Sequence, residues 1–347
     1  MNEESKIFKN EEILSPEYLP EMLPYRDNQI KRLADNLKPA AAGRKPQSTF
    51  LFGPPGIGKT AVTKFVFREF EEYSGIKTFY INCWDYRTAV SILSKVAIDL
   101  GTFVQRRSMS KDEIIEKLRE ACSKSRKGLI ICLDEVDQME KEALYDLLRI
   151  NQYVENPVGI VFISNNPHVF VEAEPRIRSS LSLEEIEFKA YSLEEMKKIL
   201  QERAKLAFAS AEEGVVMLAA NCAVQKGGDV RVGLDCMQKA GRIAEQENSD
   251  RVKVEHIKRI LSQVKPAKPE ILKEKINDAE KNILENMRGK KCWLSGELYK
   301  SYCERAENPV SERLFRDSVN HLAEIKLVKI RERKRGIKGR TRVISRA

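Results

Sequence analysis

The 347-residue chain lacks several features that would point to particular chemistries. Its three histidines, His168, His256 and His321, are far apart in sequence, so a histidine-built metal centre is not expected. Its seven cysteines contain no C-x-x-C pair, and Cys83, Cys132 and Cys222 lie in apolar surroundings and read as small core residues. An odd, unpatterned set fits a reducing compartment, with neither disulfide nor zinc. No apolar run approaches the ~18 residues of a membrane span. The acidic opening "MNEESKIFKNEEIL" has no apolar stretch of the kind a secretion signal needs, so the expected location is the cytoplasm, with no membrane partner. Aromatic residues are few, at 7%, and do not cluster at stacking spacing, which argues against a platform for single-stranded nucleic acid.

Charge is present in excess, but only in one place. The chain carries a formal +9, and the segment from Lys326 to Ala347 alone holds ten Lys/Arg against one Asp/Glu. The preceding 325 residues therefore sum to zero. Such asymmetry points to an anionic partner such as nucleic acid.

The most specific motif lies near the front. Phe50–Phe52 reads as a strand, and Gly53-Pro54-Pro55-Gly56-Ile57-Gly58-Lys59-Thr60, followed by Ala61, fits G-x-x-x-x-G-K-[ST] at each fixed position. Apolar Val62, Phe65, Val66 and Phe70 then recur at helical spacing. A strand, a glycine loop and a helix together aim backbone N–H groups and a helix N-terminus at phosphate oxygens. Lys59 is expected to reach the β- and γ-phosphates of ATP or ADP, and Thr60 to ligate Mg²⁺.

A metal-holding acid should end a neighbouring strand. Leu129–Leu133 is a continuous apolar run, followed by Asp134 for Mg²⁺ and Glu135 to polarise the attacking water. Gly159–Ser164 is a further buried strand, ended by Asn165, which can touch the γ-phosphate or orient the water. Ile76–Trp84 adds another strand. Strands alternating with helices predict an α/β fold, a doubly wound parallel sheet.

From Tyr191 onward the pattern is helical. Ser192 stands three residues before Glu195 as a capping box, and a helix is expected to stop near Gly227-Gly228. The prolines of "KPAKPE" (Lys265–Glu270) mark a boundary. The division expected is 1–190 for the α/β domain, 191–265 for a helical lid and 266–347 for a C-terminal domain. In that last part, "PVSERLFRDSVNHLAEI" places Phe315, Val319 and Leu322 on one helical face and Arg313, Arg316 and Asn320 on the other. The apolar patches Leu327-Val328 and Val343-Ile344 predict two short strands joined by a basic loop. Three helices and a hairpin make a winged helix. Its third helix would enter the major groove of duplex DNA, with Arg333, Lys334, Arg335, Lys338, Arg340 and Arg342 neutralising phosphates.

The set "GPPGIGKT", "CLDEVDQ", "FISNN", "EPRIRSSL" and "GGDVRVGLD" resembles AAA+ ATPases, and more narrowly the archaeal origin-recognition initiators and their helicase-loading relatives. The resemblance implies a weak ATPase acting as a switch, binding of a replication origin, a place at the nucleoid, and partnership with other initiator subunits and the replicative helicase. It implies that Asn165 is a first sensor, that Arg176 (or Arg178) acts in trans on a neighbour's nucleotide, and that Arg231 reaches phosphates from the lid. Pro24, Tyr25 and Arg26 of "LPYRDNQI" are similar to a motif that packs against adenine. This sequence departs from the family pattern at Asn166, where an acid is common, and at Val232-Gly233, where a basic-small pair is usual. Two other functions fit the same motifs: an ATP-driven motor of clamp-loader or transposition type, and a winged-helix transcription regulator.

Overall fold

The computed structural model describes residues 5–105, 109–125, 128–170, 182–263, 278–287, 292–305, 309–324, 327–334 and 340–346. The chain divides into two compact units, Met1–Ser262 and Gln263–Ala347.

The first unit opens with α1 (Asp27–Ala41), β1 (Thr49–Phe52), α2 (Lys59–Ser74) and β2 (Lys77–Asn82). It continues with α3 (Ala89–Asp99), α4 (Lys111–Ser125), β3 (Leu129–Asp134), α5 (Lys141–Leu148), α6 (Ile150–Tyr153) and β4 (Val158–Ser164). After β5 (Glu184–Glu187) come four lid helices, α7 (Leu193–Ala207), α8 (Glu213–Gln225), α9 (Val230–Gln246) and α10 (Val254–Gln263).

The strands form a sheet in the order β2-β3-β4-β1-β5, every adjacent pair parallel. β3 and β4 are buried along their whole lengths, as expected of strands covered on both faces. Phe162 in β4 is fully buried, edge-on to Phe170 with ring centroids 5.3 Å apart. The register pairs Phe52 with Ser164 and Asn82 with Asp134. The C-terminal ends of β1, β3 and β4 therefore fall along one edge of the sheet, where an open α/β sheet presents its ligand crevice. β5 is a strand beyond those the sequence pattern predicts: of "EEIE" only Ile186 is apolar and buried, because this edge strand shows its glutamates to solvent.

The lid starts as expected. Ser192 Oγ accepts from Glu195 N while Glu195 caps Ser192 N in return. α8 ends before Gly227 and Gly228, both at positive φ. Gly233 has a packing reason: a Cβ there would lie 2.6 Å from Leu200 Cδ1 on α7.

The second unit contains α11 (Asp278–Asn286), β6 (Cys292–Leu294), α12 (Ser295–Arg305), α13 (Glu312–Glu324), β7 (Val328–Lys334) and β8 (Arg340–Arg346). Ile283, Leu298, Tyr302, Phe315, Val319, Leu322, Val328 and Ile344 form its core. The sheet is antiparallel with order β6-β8-β7, so a third strand, β6, joins the expected pair. The two strands are also longer than expected. Arg333, Lys334, Arg340 and Arg342 lie on strands rather than in the loop, because antiparallel pairing runs from Val328–Arg346 as far as Lys334–Arg340. Arg335 and Lys338 lie outside the described residues.

Phe162→Ala removes a fully buried ring that packs against Phe170. It should cost the first unit about 3–5 kcal/mol, read as a lowered urea midpoint of that unit's transition.

Candidate functional site

At the C-terminal edge of the sheet, Gly58 at φ +93 leads into α2. Two of the loop's glycines are required because neighbouring protein atoms occupy the place of a β-carbon. At Gly53 (φ +144) a Cβ would sit 2.1 Å from Phe188 O, and at Gly56 (φ +70) 1.7 Å from Asp229 Oδ1. Lys59 is buried, and its ammonium uses all three protons, donating to Gly53 O at 2.8 Å, Pro54 O at 2.7 Å and Asn165 Oδ1 at 2.7 Å. Burial lowers its pKa to about 8, against the opposing pull of the Asp134 and Glu135 carboxylates.

Thr60 Oγ1 donates to Asp134 Oδ2 at 2.6 Å, and Asp134 Oδ1 accepts from Glu135 N at 2.8 Å. Glu135 has φ +54, a left-handed conformation that costs a non-glycine residue free energy and that clusters at functional sites. Its carboxyl is half-buried and accepts from Asn165 Nδ2 at 3.1 and 3.2 Å. Burial, then the neighbouring Asp134 and Asp137, pushes the Glu135 pKa upward. Asn165 thus bridges Lys59 and Glu135.

The lid completes the wall. Arg231 donates to both oxygens of Asp229, Nε to Oδ1 at 3.0 Å and Nη2 to Oδ2 at 2.9 Å. That pairing raises the pKa of Arg231. Val230 N donates to Gly56 O at 3.0 Å, so the lid touches the glycine loop directly.

These groups face a cavity of about 760 Å³. Pro24, Pro55, Gly56, Gly58, Lys59, Thr60, Ala61, Asp134, Glu135, Asn165 and Arg231 line it, as do Tyr18, Leu19, Leu23, Ile199 and Leu206. Gly53, Pro54 and Ile57 stand behind the wall and set the loop's shape.

Tyr25 and Arg26 also stand behind it. A buried guanidinium must satisfy its donors, and Arg26 does so on Ile57 O (3.2 and 2.9 Å) and Lys189 O (3.0 Å), stacked 3.8 Å from the Tyr191 ring centroid. It clamps the glycine loop to the β5–lid junction. The apolar strap Tyr18–Leu23 is a wall that no sequence motif announces. It is tied to the lid by Arg203, which donates to Ile13 O at 3.0 Å and Tyr18 O at 3.1 Å. Arg176 and Arg178 lie outside the described residues.

In the second unit Arg313, Arg316 and Asn320 are exposed on α13, opposite the buried Phe315, Val319 and Leu322. Arg316 is paired with Glu312. Arg342 of β8 donates to Asn320 Oδ1 at 3.2 Å, which ties β8 to the polar face of the helix.

Residues 43–168 match the family model described as "AAA domain", and residues 197–260 match "Cdc6 AAA+ ATPase-type lid domain". ORC1-type DNA replication protein 1 of Sulfurisphaera tokodaii is 33% identical over 98% of this chain and 90% of its own length. The chain belongs to the ORC1-type DNA replication proteins. The ORC1-type protein 1 of Archaeoglobus fulgidus is 40% identical over 74% of this chain and 66% of that relative. Among solved structures, the Aeropyrum pernix ORC1 protein in complex with DNA superposes with a TM-score of 0.71 at 32% identity, covering 99% of this chain and 94% of that one. As an ORC1-type AAA+ ATPase, the chain binds nucleotide and hydrolyses ATP. Among the described residues no helix is long and apolar enough to cross a membrane.

Arg26→Met should leave the buried Ile57 carbonyl and the partly buried Lys189 carbonyl without this donor, lowering stability by about 2–4 kcal/mol. Arg26→Lys should recover only part of this, because one ammonium cannot fork between both carbonyls. Urea unfolding of the three proteins reads both effects.

Proposed function

We propose that this protein is an ATP-switched initiator that binds duplex DNA at a replication origin through its AAA+ unit and a winged-helix second unit. One observation carries the reading: a phosphate-shaped loop, two acids and polar groups from sheet and lid converge on one cavity in an ORC1-type chain. In this reading Lys59 exchanges its two loop carbonyls for the β- and γ-phosphates, and Arg231 leaves Asp229 for the same anion. Glu135 polarises the attacking water, and Asn165 holds Glu135 at the right distance from it. The strap Tyr18–Leu23 with Pro24 takes the base against Ile199 and Leu206. Arg176 acts in trans on the nucleotide of a neighbouring subunit.

Thr60 and Asp134 fit Mg²⁺, since their oxygens lie 2.6 Å apart at the cavity wall and no cluster of three acids or histidines surrounds them among the described residues. One carboxylate plus nucleotide oxygens and water is the donor set this ion prefers. When bound, the ion would neutralise charge on the β- and γ-phosphate oxygens.

For the second unit, helix–strand–helix–helix–strand–strand supports the winged-helix reading. Arg313, Arg316 and Asn320 reach base edges or phosphates, and Arg333, Lys334, Arg340 and Arg342 neutralise phosphates. Slow hydrolysis resets the DNA-engaged state, which requires that the two states differ in nucleotide affinity. Other initiator subunits and the replicative helicase are the expected partners, and the nucleoid is the expected location.

Glu135→Gln should keep ATP affinity while turnover falls on the order of 10²-fold or more, because the water loses its base. Unchanged turnover would remove Glu135 from that role. Neutralising Arg333, Lys334 and Arg340 together should flatten the slope of log K against log salt for duplex DNA, by up to about 0.9 for each phosphate left without its cation. Footprinting on the source genome's DNA, with and without ATP, tests the initiator reading as a whole. Protection at no discrete site, under either condition, would overturn it.

A further inference from the structure

Asp134 is held by a residue that does not touch the cavity. In the β2–β3 register Tyr80 lies opposite Cys132, and Asn82 opposite Asp134. Tyr80 and Asp134 are thus diagonal neighbours on one face of the sheet, a separation of about 7–8 Å between backbones that a long aromatic side chain can bridge. The Tyr80 hydroxyl donates to Asp134 Oδ2 at 2.5 Å. The same oxygen accepts from Thr60 Oγ1 at 2.6 Å, and Oδ1 accepts from Glu135 N at 2.8 Å. Lys64 of α2 lies over the Tyr80 ring, its ammonium 4.7 Å from the centroid.

These three bonds leave the carboxylate little freedom, but they are not equivalent. The Glu135 N–H anchors Oδ1 whatever occupies the site. The Thr60 hydroxyl must turn a lone pair toward any cation it ligates, which weakens its hold on Oδ2. The Tyr80 hydroxyl is not itself one of the cavity-lining groups, so it has no cation or phosphate to take in exchange for Oδ2. Its bond is a charge-assisted O–H···O⁻ contact of the strong kind, in a half-buried site.

We propose that Tyr80 is a positioning residue for the divalent cation that accompanies the nucleotide, holding the Asp134 carboxylate in the orientation that pairs it with Thr60. This rests on the assignment of Asp134 to the cation. Removing a partner of this type lowers metal affinity by about 10–100-fold while the ligand itself remains.

The test is Tyr80→Phe, which keeps the ring and its contact with Lys64 and removes one hydroxyl. Binding of a non-hydrolysable ATP analogue to the full chain is measured in EDTA and across a Mg²⁺ titration at fixed pH. The expected result is unchanged affinity in EDTA and about a tenfold higher Mg²⁺ concentration at half-effect. Equal Mg²⁺ midpoints for parent and variant would overturn the proposal. A loss of affinity already present in EDTA would also overturn it, since that is the mark of a merely structural hydroxyl. Asp134→Asn and the double variant complete a cycle: if Tyr80 acts through Asp134, adding Tyr80→Phe to Asp134→Asn should shift the midpoint no further, and an additive shift would overturn the proposal. The cycle also serves if Tyr80→Phe is less stable, because midpoints are compared only under conditions where all four proteins are folded by circular dichroism. Failure of the underlying reading looks different. Parent protein with no Mg²⁺ dependence, or Lys59→Ala with parental nucleotide affinity, would remove the cation or the nucleotide from this site whatever Tyr80 does.

Discussion

A buried ammonium sets the terms for the first unit. Lys59 is 6% exposed, and its charge is tolerable there only because three oxygens surround it. Two of those oxygens are carbonyls of its own loop, which the loop can present only with Gly53, Gly56 and Gly58 at positive φ. The third belongs to Asn165, at the end of β4, so the loop and the sheet edge are fixed to one another through a single charge. Glu135 is drawn in by the other end of the same amide. Losing either loop carbonyl or Asn165 leaves the ammonium under-solvated, so loop and sheet edge are assembled together.

Around that assembly, two buried or half-buried arginines bind segments that are distant in sequence. Arg26 joins the glycine loop to the β5–lid junction, and Arg203 joins α7 to the strap that walls the cavity. Each serves backbone carbonyls that no helix or strand satisfies. This explains how an irregular N-terminal segment can form a pocket wall: its stray acceptors have a guanidinium fork to bind.

Much of this is legible in the sequence where one local pattern carries one physical demand. The glycine loop, the apolar β3 and β4 with Asp134 and Asn165 at their ends, and the Ser192 capping box each declare themselves within about ten residues. What escapes depends on distance. β5 has one inward apolar residue in four, too weak a period to separate from a loop, and β6 is a three-residue strand made only by its partner β8. Arg26 carries the same letters whether its guanidinium is exposed or buried behind a loop. Only its neighbours Phe188 and Tyr191, more than 160 positions away, decide between them. Tyr80 reads as one more β-strand aromatic until register places it diagonal to Asp134. The basic C-terminal stretch shows both its charge and its pairing in sequence, but how far the pairing extends is set by hydrogen bonding, to which the charges are indifferent.

The pairing of Arg231 with Asp229 has a consequence for how ions act on this molecule. A phosphate arriving at the lid meets a guanidinium already neutralised by a carboxylate that leans on Gly56. Engagement there is an exchange of one anion for another, with the displaced Asp229 left to water, rather than the capture of an anion by a bare cation. Because Asp229 already balances part of the guanidinium's charge, the lid's contribution should depend less on ionic strength than that of an unpaired arginine. The sequence over Lys326–Ala347 is different in kind, with ten Lys/Arg against one Asp/Glu. The lid arginine and the basic C-terminal stretch therefore differ in how much of their charge neighbouring sequence already balances, and a change in ionic strength should act more strongly on the second.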